Sequence, residues 1–298
     1  LVESGHSVVR LELDAFLAES LRTGGYDVVF PAVHGAVGED GSLQGLLEVL
    51  DLPYVGSDVL ASALAMHKRV ARILFQQAGL PVAKGFVAGR GDARVVAEQA
   101  RRDVGQRLVV KPSAHGSAIG VTRLEEDAPA QDVARALESA WAIDDYAVIE
   151  HFARGREVTC GVLERDRVEA LSPTEVLSPS DPFYTYEARY TKGRSRHVCP
   201  ADLAAEVTAR VQRIALAAHA ALGCRDLSRV DFVVGDDGNP NAVTLLEVNT
   251  LPGMTATSLY PEAAAAGGVS MPALCGALVT RAHARGPRRR IEARRLPG

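Results

Sequence analysis

The sequence has 298 residues, 47% hydrophobic, 23% charged and 5% aromatic, with 37 acidic against 33 basic side chains and a formal charge of −4. This composition excludes disorder and a collagen-like repeat, and the length suffices for roughly two domains with a substantial core. Only four of the basic residues are lysines (Lys68, Lys84, Lys111, Lys192), and the last 18 residues carry seven arginines against one glutamate, so the body is acidic and lacks the positive footprint of a nucleic-acid partner.

In chain order, strand-like and helical runs alternate, the pattern of an α/β protein. The opening LVESG has the form of a helix end with a stop at Gly5, and the expectation is that further residues precede it. Residues 7–13 and 26–33 are predicted as short strands, 41–50 as a helix and LPYVG as a brief extended segment. Ser57 is placed to cap a helix running to about Ala78, with Leu60, Leu64, Val70, Ile73 and Leu74 on its apolar stripe and Gly79–Leu80–Pro81 to stop it. Strand 82–88 and helix 92–102 follow. Strand 107–112 runs through the loop SAHGSAIG into strand 119–124 as a hairpin, before helix 132–141 and strand 146–152. Residues 156–163 and 167–171 make a second hairpin. Residues 172–200, rich in Pro, Ser and Tyr, show no regular pattern, and so long a stretch is expected to close over a site. A helix over 201–222 ends at Gly223, strands 229–234 and 243–248 form a hairpin about 235–239, and a last helix covers 271–284. Breaks near residues 56 and 151 divide the chain into 1–56, 57–150 and 151–298.

The four cysteines, at 160, 199, 224 and 275, have neither CxxC spacing nor histidine neighbours, which predicts reduced thiols in a cytoplasmic protein. No run of about 18 apolar residues is present, so no membrane partner is expected.

The strongest chemical signal is a group of hard oxygen donors on adjacent strands: Asp231 in RVDFV, and Glu247 and Asn249 in LLEVN. Alternation puts Glu247 and Asn249 on one face, with Asp231 opposite if the strands pair. Carboxylates among apolar neighbours call for a cation, and Mg²⁺ takes such ligands together with phosphates and water. A solvent-facing edge hairpin is the plainer alternative. Lys111 ends an apolar strand before a loop of glycines and hydroxyls that could cradle phosphates, although no Walker A sequence is present; a surface hairpin would use the same residues. Lys68 is a second candidate, against simple solvation. Glu150 and Glu157 could accept from a nucleotide's base edge or ribose, or pair with Arg154 or Arg156. The turn HGAVGEDG carries His34, and its Gly41–Ser42 step starts a helix whose N-terminus would favour an anion. PGMTATSL offers Gly253, Ser258 and backbone amides to a small carboxylate or phosphate, and Arg229 adds a positive fork to the face of Asp231. No G-x-S-x-G, HExxH or GxGxxG motif occurs.

Six segments, in order, together resemble the D-alanine–D-alanine ligase family of ATP-grasp enzymes: HGAVGEDGSLQGLLEVLDLPYVGSDVLASALAMHK (34–68), VVKPSAHGSAIG (109–120), VIEHFARGREVT (148–159), FYTYEARY (183–190), LGCRDLSRVDF (222–232) and LLEVNTLPGMTATSL (245–259). The resemblance implies an α/β ATP-grasp fold of three domains: a substrate domain at 1–56, a central domain at 57–150 and a C-terminal catalytic domain at 151–298, with the nucleotide between the central and C-terminal sheets. It implies joining of two D-alanines through an acyl phosphate, with ATP and two Mg²⁺ or Mn²⁺ ions, and, by family habit, a homodimer. By the same resemblance Lys68 and Lys111 bind ATP phosphates, Glu150 and Ala153 lie by the adenine, and Glu157 binds the ribose. Asp231, Glu247 and Asn249 are the metal ligands, Arg229 and the Gly253 amide stabilise the transferring phosphoryl group and the oxyanion, and Ser258 and Leu259 receive the second alanine's carboxylate. His34 lies near the substrates; Ser117 belongs to a small loop met by the lid residue Tyr190, with Arg189 where a lysine is usual.

Departures from the family pattern are Ala118 for the second serine of the GSS loop, Arg189, and His67 where Asp is common. The family's first strand and its glycine-rich loop, which binds the first D-alanine's amine, are not in this sequence, and a misassigned start is the expected reason. The tyrosine in YEARY favours an amine acceptor. A related ligase with D-serine or D-lactate as acceptor, and an inactive ATP-binding remnant, are the alternatives.

Overall fold

The computed structural model describes residues 1–116, 118–177, 196–235, 239 and 242–287. Helices α1 (Leu17–Thr23) and α2 (Ser42–Val49) bring Leu21, Leu43 and Leu47 onto Tyr54 in a small core. The strands expected over 7–13 and 26–33 do not form; among the described residues the second contributes a single parallel bridge, Val29 to Tyr54. A strand needs a neighbouring edge for its N–H and C=O groups. No described strand pairs with 7–13, where Val8, Val9 and Leu13 are exposed.

The helix expected from Ser57 to Ala78 is two helices. Asp58, not Ser57, caps α3 (Val59–Met66), its Oδ1 accepting from Ala61 N at 3.0 Å. Extended backbone at His67 then separates α3 from α4 (Lys68–Gln77), and His67 supplies no side-chain cap. Instead Ser113 takes the orphan N–H groups: its carbonyl accepts from Lys68 N at 2.8 Å and its Oγ from Arg69 N at 3.3 Å.

Two antiparallel sheets carry the remaining elements. The first contains β1 (Gly85–Gly89), β2 (Leu108–Pro112), β3 (Thr122–Leu124) and β4 (Tyr146–His151), in the order β1-β4-β2-β3. Helices α5 (Ala93–Asp103), capped by Asp92, and α6 (Ala130–Ile143) cover one face, where Leu108, Val110, Ala147 and Ile149 meet Leu137 and Trp141. Alternation therefore turns Val109, Lys111, Val148 and Glu150 to the opposite face.

The second sheet contains β5 (Arg156–Glu164), β6 (Val168–Ala170), β7 (Thr174–Leu177), β8 (Arg196–Val198), β9 (Leu227–Val234) and β10 (Val243–Asn249). Its order is β10-β9-β5-β7-β8, with β6 also paired to β5. The segment 172–200, expected without regular structure, thus begins and ends in sheet, and 178–195 lie outside the described residues. Its polar character misleads because buried Glu175 of β7 is held by Arg156 of β5 at 2.7 Å. Helix α7 (Ala205–Ala221) packs on this sheet, as do Ala71 and Phe75 of α4, so α4 spans the seam between the sheets. Helix α8 (Leu259–Ala266), not foreseen, and α9 (Met271–Arg285) form a further core with Leu163, Leu171 and Leu227. Pro261 is compatible with α8 because it lies in the first turn, where a missing N–H costs no helical bond. No single helix among the described residues is long and apolar enough to cross a membrane. The four cysteines are free, and burial pushes the thiols of Cys160 and Cys224 up to about 12.

A buried ionic knot ties the first segment to the last helix. Asp226, fully buried with φ 64°, accepts from Gly56 N at 2.8 Å and from Arg285 at 2.6 and 2.8 Å, while Arg285 also reaches Tyr54 O at 2.8 Å. Beside it Glu164 accepts from Arg281 at 2.6 Å and lies 3.2 Å from His219 Nε2. The hydrogen bond with His219, against the upward push of burial and aided by a backbone hydrogen bond from Asp226 and by Arg281, holds the Glu164 carboxyl at about 2 instead of 4.5. A lowered folded pKa contributes stability that is present above the unfolded value and lost as pH falls through the folded one. Glu164→Gln is expected to lower the denaturation midpoint at neutral pH, with the difference from wild type closing as pH falls from about 4.5 to about 2. A difference independent of pH across that window contradicts the assignment.

Candidate active site

The faces of β9 and β10 decide where the polar residues go. On β9, Val230, Phe232 and Val234 enter the apolar core, leaving Arg229, Asp231 and Val233 on the other face. Strand β10 begins with Val243 and Leu245 in that same core, and strict alternation would send Glu247 and Asn249 after them. A register shift between Leu245 and Glu247 prevents this. Leu246 is the extra residue and is exposed; beyond it Val248 returns to the core, Glu247 stands opposite Asp231, and Asn249 opposite Arg229.

The four polar residues share one face of the sheet with Glu157, which β5 pairs to Val233. The Arg229 guanidinium donates to both Asp231 oxygens, at 2.7 and 2.8 Å. Lys68 Nζ lies 3.4 Å from Glu247 Oε2 and donates to His115 O at 2.5 Å, so it is engaged instead of simply solvated. Asn249 Oδ1 accepts from Leu251 N at 2.9 Å, which aims the amide and leaves that oxygen one further lone pair. Each carboxylate on this face is thereby matched by a cation, as partial burial requires.

Two spaces meet at Lys68 and Glu247, which line both. The larger, about 440 Å³, also brings together Arg229, Asn249, Gly253, Ser258, Leu259 and His34. The smaller, about 130 Å³, lies between the facing sheets and is lined by Lys111, Glu150, Ala153 and Glu157. Asp231 lines neither; Arg229 covers its carboxylate. Ser117, Arg189 and Tyr190 lie outside the described residues.

Within the larger space, Gly253 is what lets two loops approach. A Cβ there would come within 2.7 Å of Ser258 Oγ and 3.8 Å of His34 Cε1. Ser258 Oγ is itself fixed, accepting from Thr255 N at 3.1 Å and lying 2.8 Å from Thr255 Oγ1. His34 Nδ1 is 3.6 Å from Glu39 Oε1, and Gly35 N donates to the other Glu39 oxygen at 2.8 Å. The N-terminus of α2, a candidate for an outside anion, already holds one of the chain's own. Asp40 accepts from Val37 N and Ser42 N, each at 2.9 Å.

The smaller space corrects the partners suggested for Glu150 and Glu157. Glu150 pairs with Arg72 and, at 2.6 Å, with Lys111; Glu157 pairs with Arg123 at 3.2 Å. Arg154 is taken by Glu125 and Arg156 by Glu175. Arg123 also stacks on the Phe152 ring at 4.4 Å. Arg72, Arg123, Ser113 and the His115 carbonyl escaped the sequence reading. For Arg72 a signal existed: it follows Lys68 by four residues and so shares its side of α4.

Comparison with known proteins gives a consistent pattern. The family description "D-ala D-ala ligase N-terminus" matches residues 10–57 and "D-ala D-ala ligase C-terminus" matches residues 74–280. The chain is 45% identical to the D-alanine–D-alanine ligase of Gluconobacter oxydans, over 96% of this chain and 91% of that protein. Among solved structures it is similar to the D-alanine–D-alanine ligase from Coxiella burnetii, with a TM-score of 0.75, 34% identity, and coverage of 87% of this chain and 68% of that one. It is also similar to the VanG D-Ala:D-Ser ligase from Enterococcus faecalis, with a TM-score of 0.75, 34% identity, and coverage of 86% and 73%.

The bidentate pair on β9 has a direct consequence for stability. Asp231→Ala removes the carboxylate that accepts both donors of the buried Arg229 fork and is expected to cost about 3–5 kcal/mol in a denaturant titration. A loss below about 1 kcal/mol, the range of an exposed pair, would show that the two charges are solvated.

Proposed function

The chain belongs to the D-alanine–D-alanine ligase family and has its ATP-grasp fold, and from that premise we infer how the residues of the cleft divide the work. It is an ATP-dependent ligase that joins two D-alanines into D-alanyl-D-alanine for peptidoglycan synthesis. The carboxylate of the first D-alanine attacks the γ-phosphorus of ATP, and ADP leaves. The amine of the second then attacks the acyl carbon, losing a proton, and phosphate departs with the former carboxylate oxygen. Anionic partners must meet in the first step and a hydrolysable acyl phosphate must survive until the second, so the site has to supply positive charge and exclude water.

The observation that carries the assignment is the adjacency of the two spaces, which share Lys68 and Glu247 as lining residues. In this reading the nucleotide occupies the space between the sheets, with Glu150 and Ala153 at the adenine and Glu157 at the ribose. Lys111 and Lys68 hold the phosphates, and Lys68 stands where the γ-phosphate would enter the larger space. There Arg229 and the Gly253 amide stabilise the phosphoryl group in transfer and the tetrahedral oxyanion. Ser258 and Leu259, at the start of α8, receive the second alanine's carboxylate where the helix N-terminus favours an anion. His34 orients substrate beside them. The family resemblance gives Ser117, Tyr190 and Arg189 the roles of loop and lid; all three lie outside the described residues. A cytoplasmic homodimer belongs to the same proposal.

Asp231, Glu247 and Asn249 would hold two divalent ions, Mg²⁺ or Mn²⁺. The donor set fits: all three are hard oxygen ligands, and both carboxylates stand where the protein itself places a cation against them. When bound, the ions supply neutralisation of phosphate charge. The residues' own part is to converge on that position from two strands, which the Leu246 bulge makes possible.

Purified protein is expected to release phosphate only when D-alanine and ATP with magnesium are present together. Glu247→Gln should lower that turnover by on the order of a hundredfold or more. ATP binding without D-alanine-dependent phosphate release would remove the ligase reading, and wild-type turnover in the variant would remove the metal assignment. With D-serine or D-lactate competing at equal concentration, D-alanyl-D-alanine should dominate the products by mass spectrometry; a mixed ester or D-alanyl-D-serine as main product reassigns the acceptor.

A further inference from the structure

Arg72 has no place in the chemistry above, yet it is buried beside it. Its guanidinium donates to Glu150 Oε1 and to the carbonyls of Ala83 and Gly85, the latter at 3.2 Å. Glu150 presents its other oxygen to Lys111 Nζ at 2.6 Å. One buried carboxylate is therefore shared by two cations with different surroundings. Arg72 lines neither space, while Lys111 lines the space between the sheets. Gly85, opposite Glu150 in the β1–β4 register, packs against the same carboxylate's stem; a Cβ at Gly85 would sit 2.9 Å from Glu150 Cγ.

The geometry points to Arg72 as a positioning residue that sets how tightly Glu150 retains Lys111, and so how much of the lysine's charge a nucleotide phosphate receives; this rests on the nucleotide reading above. A phosphate that draws Lys111 away would otherwise leave Glu150 as an unpaired buried charge, which is strongly unfavourable. Arg72 keeps the carboxylate paired throughout. The guanidinium suits this task because it stays protonated and its planar fork engages carboxylate and carbonyl oxygens at once, whereas Lys111 is a compact point charge on a flexible stem that can change partners. Spacing on α4 makes the arrangement possible. Lys68 and Arg72, four residues apart, reach Glu247 on one sheet and Glu150 on the other.

The test is equilibrium binding of ADP with magnesium, and of adenosine, to wild type, Arg72→Met, Glu150→Gln and the double variant by titration calorimetry. The ratio of the adenosine Kd to the ADP Kd isolates the phosphates, so a change at the base caused by Glu150→Gln cancels. Arg72→Met is expected to lower this ratio by about tenfold, the size of one contested charge-assisted hydrogen bond. The double variant should restore it to within about threefold of wild type, because no carboxylate then holds Lys111. A purely structural arginine would give no such rescue. A wild-type ratio in Arg72→Met, or a double variant no better than Arg72→Met, overturns the inference. If Arg72→Met does not fold by thermal melting, Arg72→Gln with and without Glu150→Gln reads the same ratio. Wild-type protein that binds neither ADP nor adenosine removes the nucleotide reading itself, an outcome distinct from tight ADP binding that ignores Arg72.

Discussion

One extra residue in a strand sets the conditions for everything at the site. Leu246 interrupts the alternation of β10, so that Leu245 and Val248 both reach the apolar core while Glu247 and Asn249 face the cleft. Without the bulge the strand could satisfy the core or the charged face, but not both. A carboxylate turned into the core among Phe232, Val230 and Cys160 would face a desolvation cost with no partner to offset it. With the bulge, β9 and β10 present Arg229, Asp231, Glu247 and Asn249 together, and the rest of the molecule is arranged around that face.

The second organising element is α4, which belongs to both sheets. Its Ala71 and Phe75 lie in the core of the larger sheet, while Lys68 and Arg72 carry charge to Glu247 and Glu150. Because its first N–H groups are taken by Ser113, the loop after β2 and the helix that bears Lys68 are mechanically linked. Away from the cleft, Asp226 joins Gly56 and Tyr54 to α9 through Arg285, which ties the His34-bearing segment to the second sheet. Charge is thus paired at these junctions, and the carboxylates of Glu150 and Asp226 act as ties between segments distant in sequence.

Much of this was legible in the residues, and what was not has physical reasons. The hairpins β2–β3 and β9–β10 could be drawn from alternation and turn residues, and the oxygen donors at 231, 247 and 249 stood out because apolar strands seldom carry them. The bulge was not visible, since a period of two does not mark where an extra residue is inserted. The break at His67 was hidden because its compensation comes from Ser113, far along the chain. Strands β7 and β8 were obscured by polar side chains whose partners lie on other strands, as with Glu175 and Arg156. Residues 7–13 alternate like a strand, but pairing needs an edge that local pattern cannot supply. The partners of Glu150 elude local spacing for the same reason: spacing points to Arg154 and Arg156, whereas Arg72, 78 positions away, and Lys111 on the adjacent strand hold the carboxylate.

The central claim is that this cleft activates a D-alanine carboxylate by phosphorylation. The most direct measurement uses D-alanine labelled with oxygen-18 in its carboxylate and follows the label into inorganic phosphate by mass spectrometry. If the acyl phosphate forms, the oxygen that attacked phosphorus stays with it when the amine displaces phosphate, so each product dipeptide is accompanied by one labelled phosphate. Dipeptide formation with unlabelled phosphate would contradict the account.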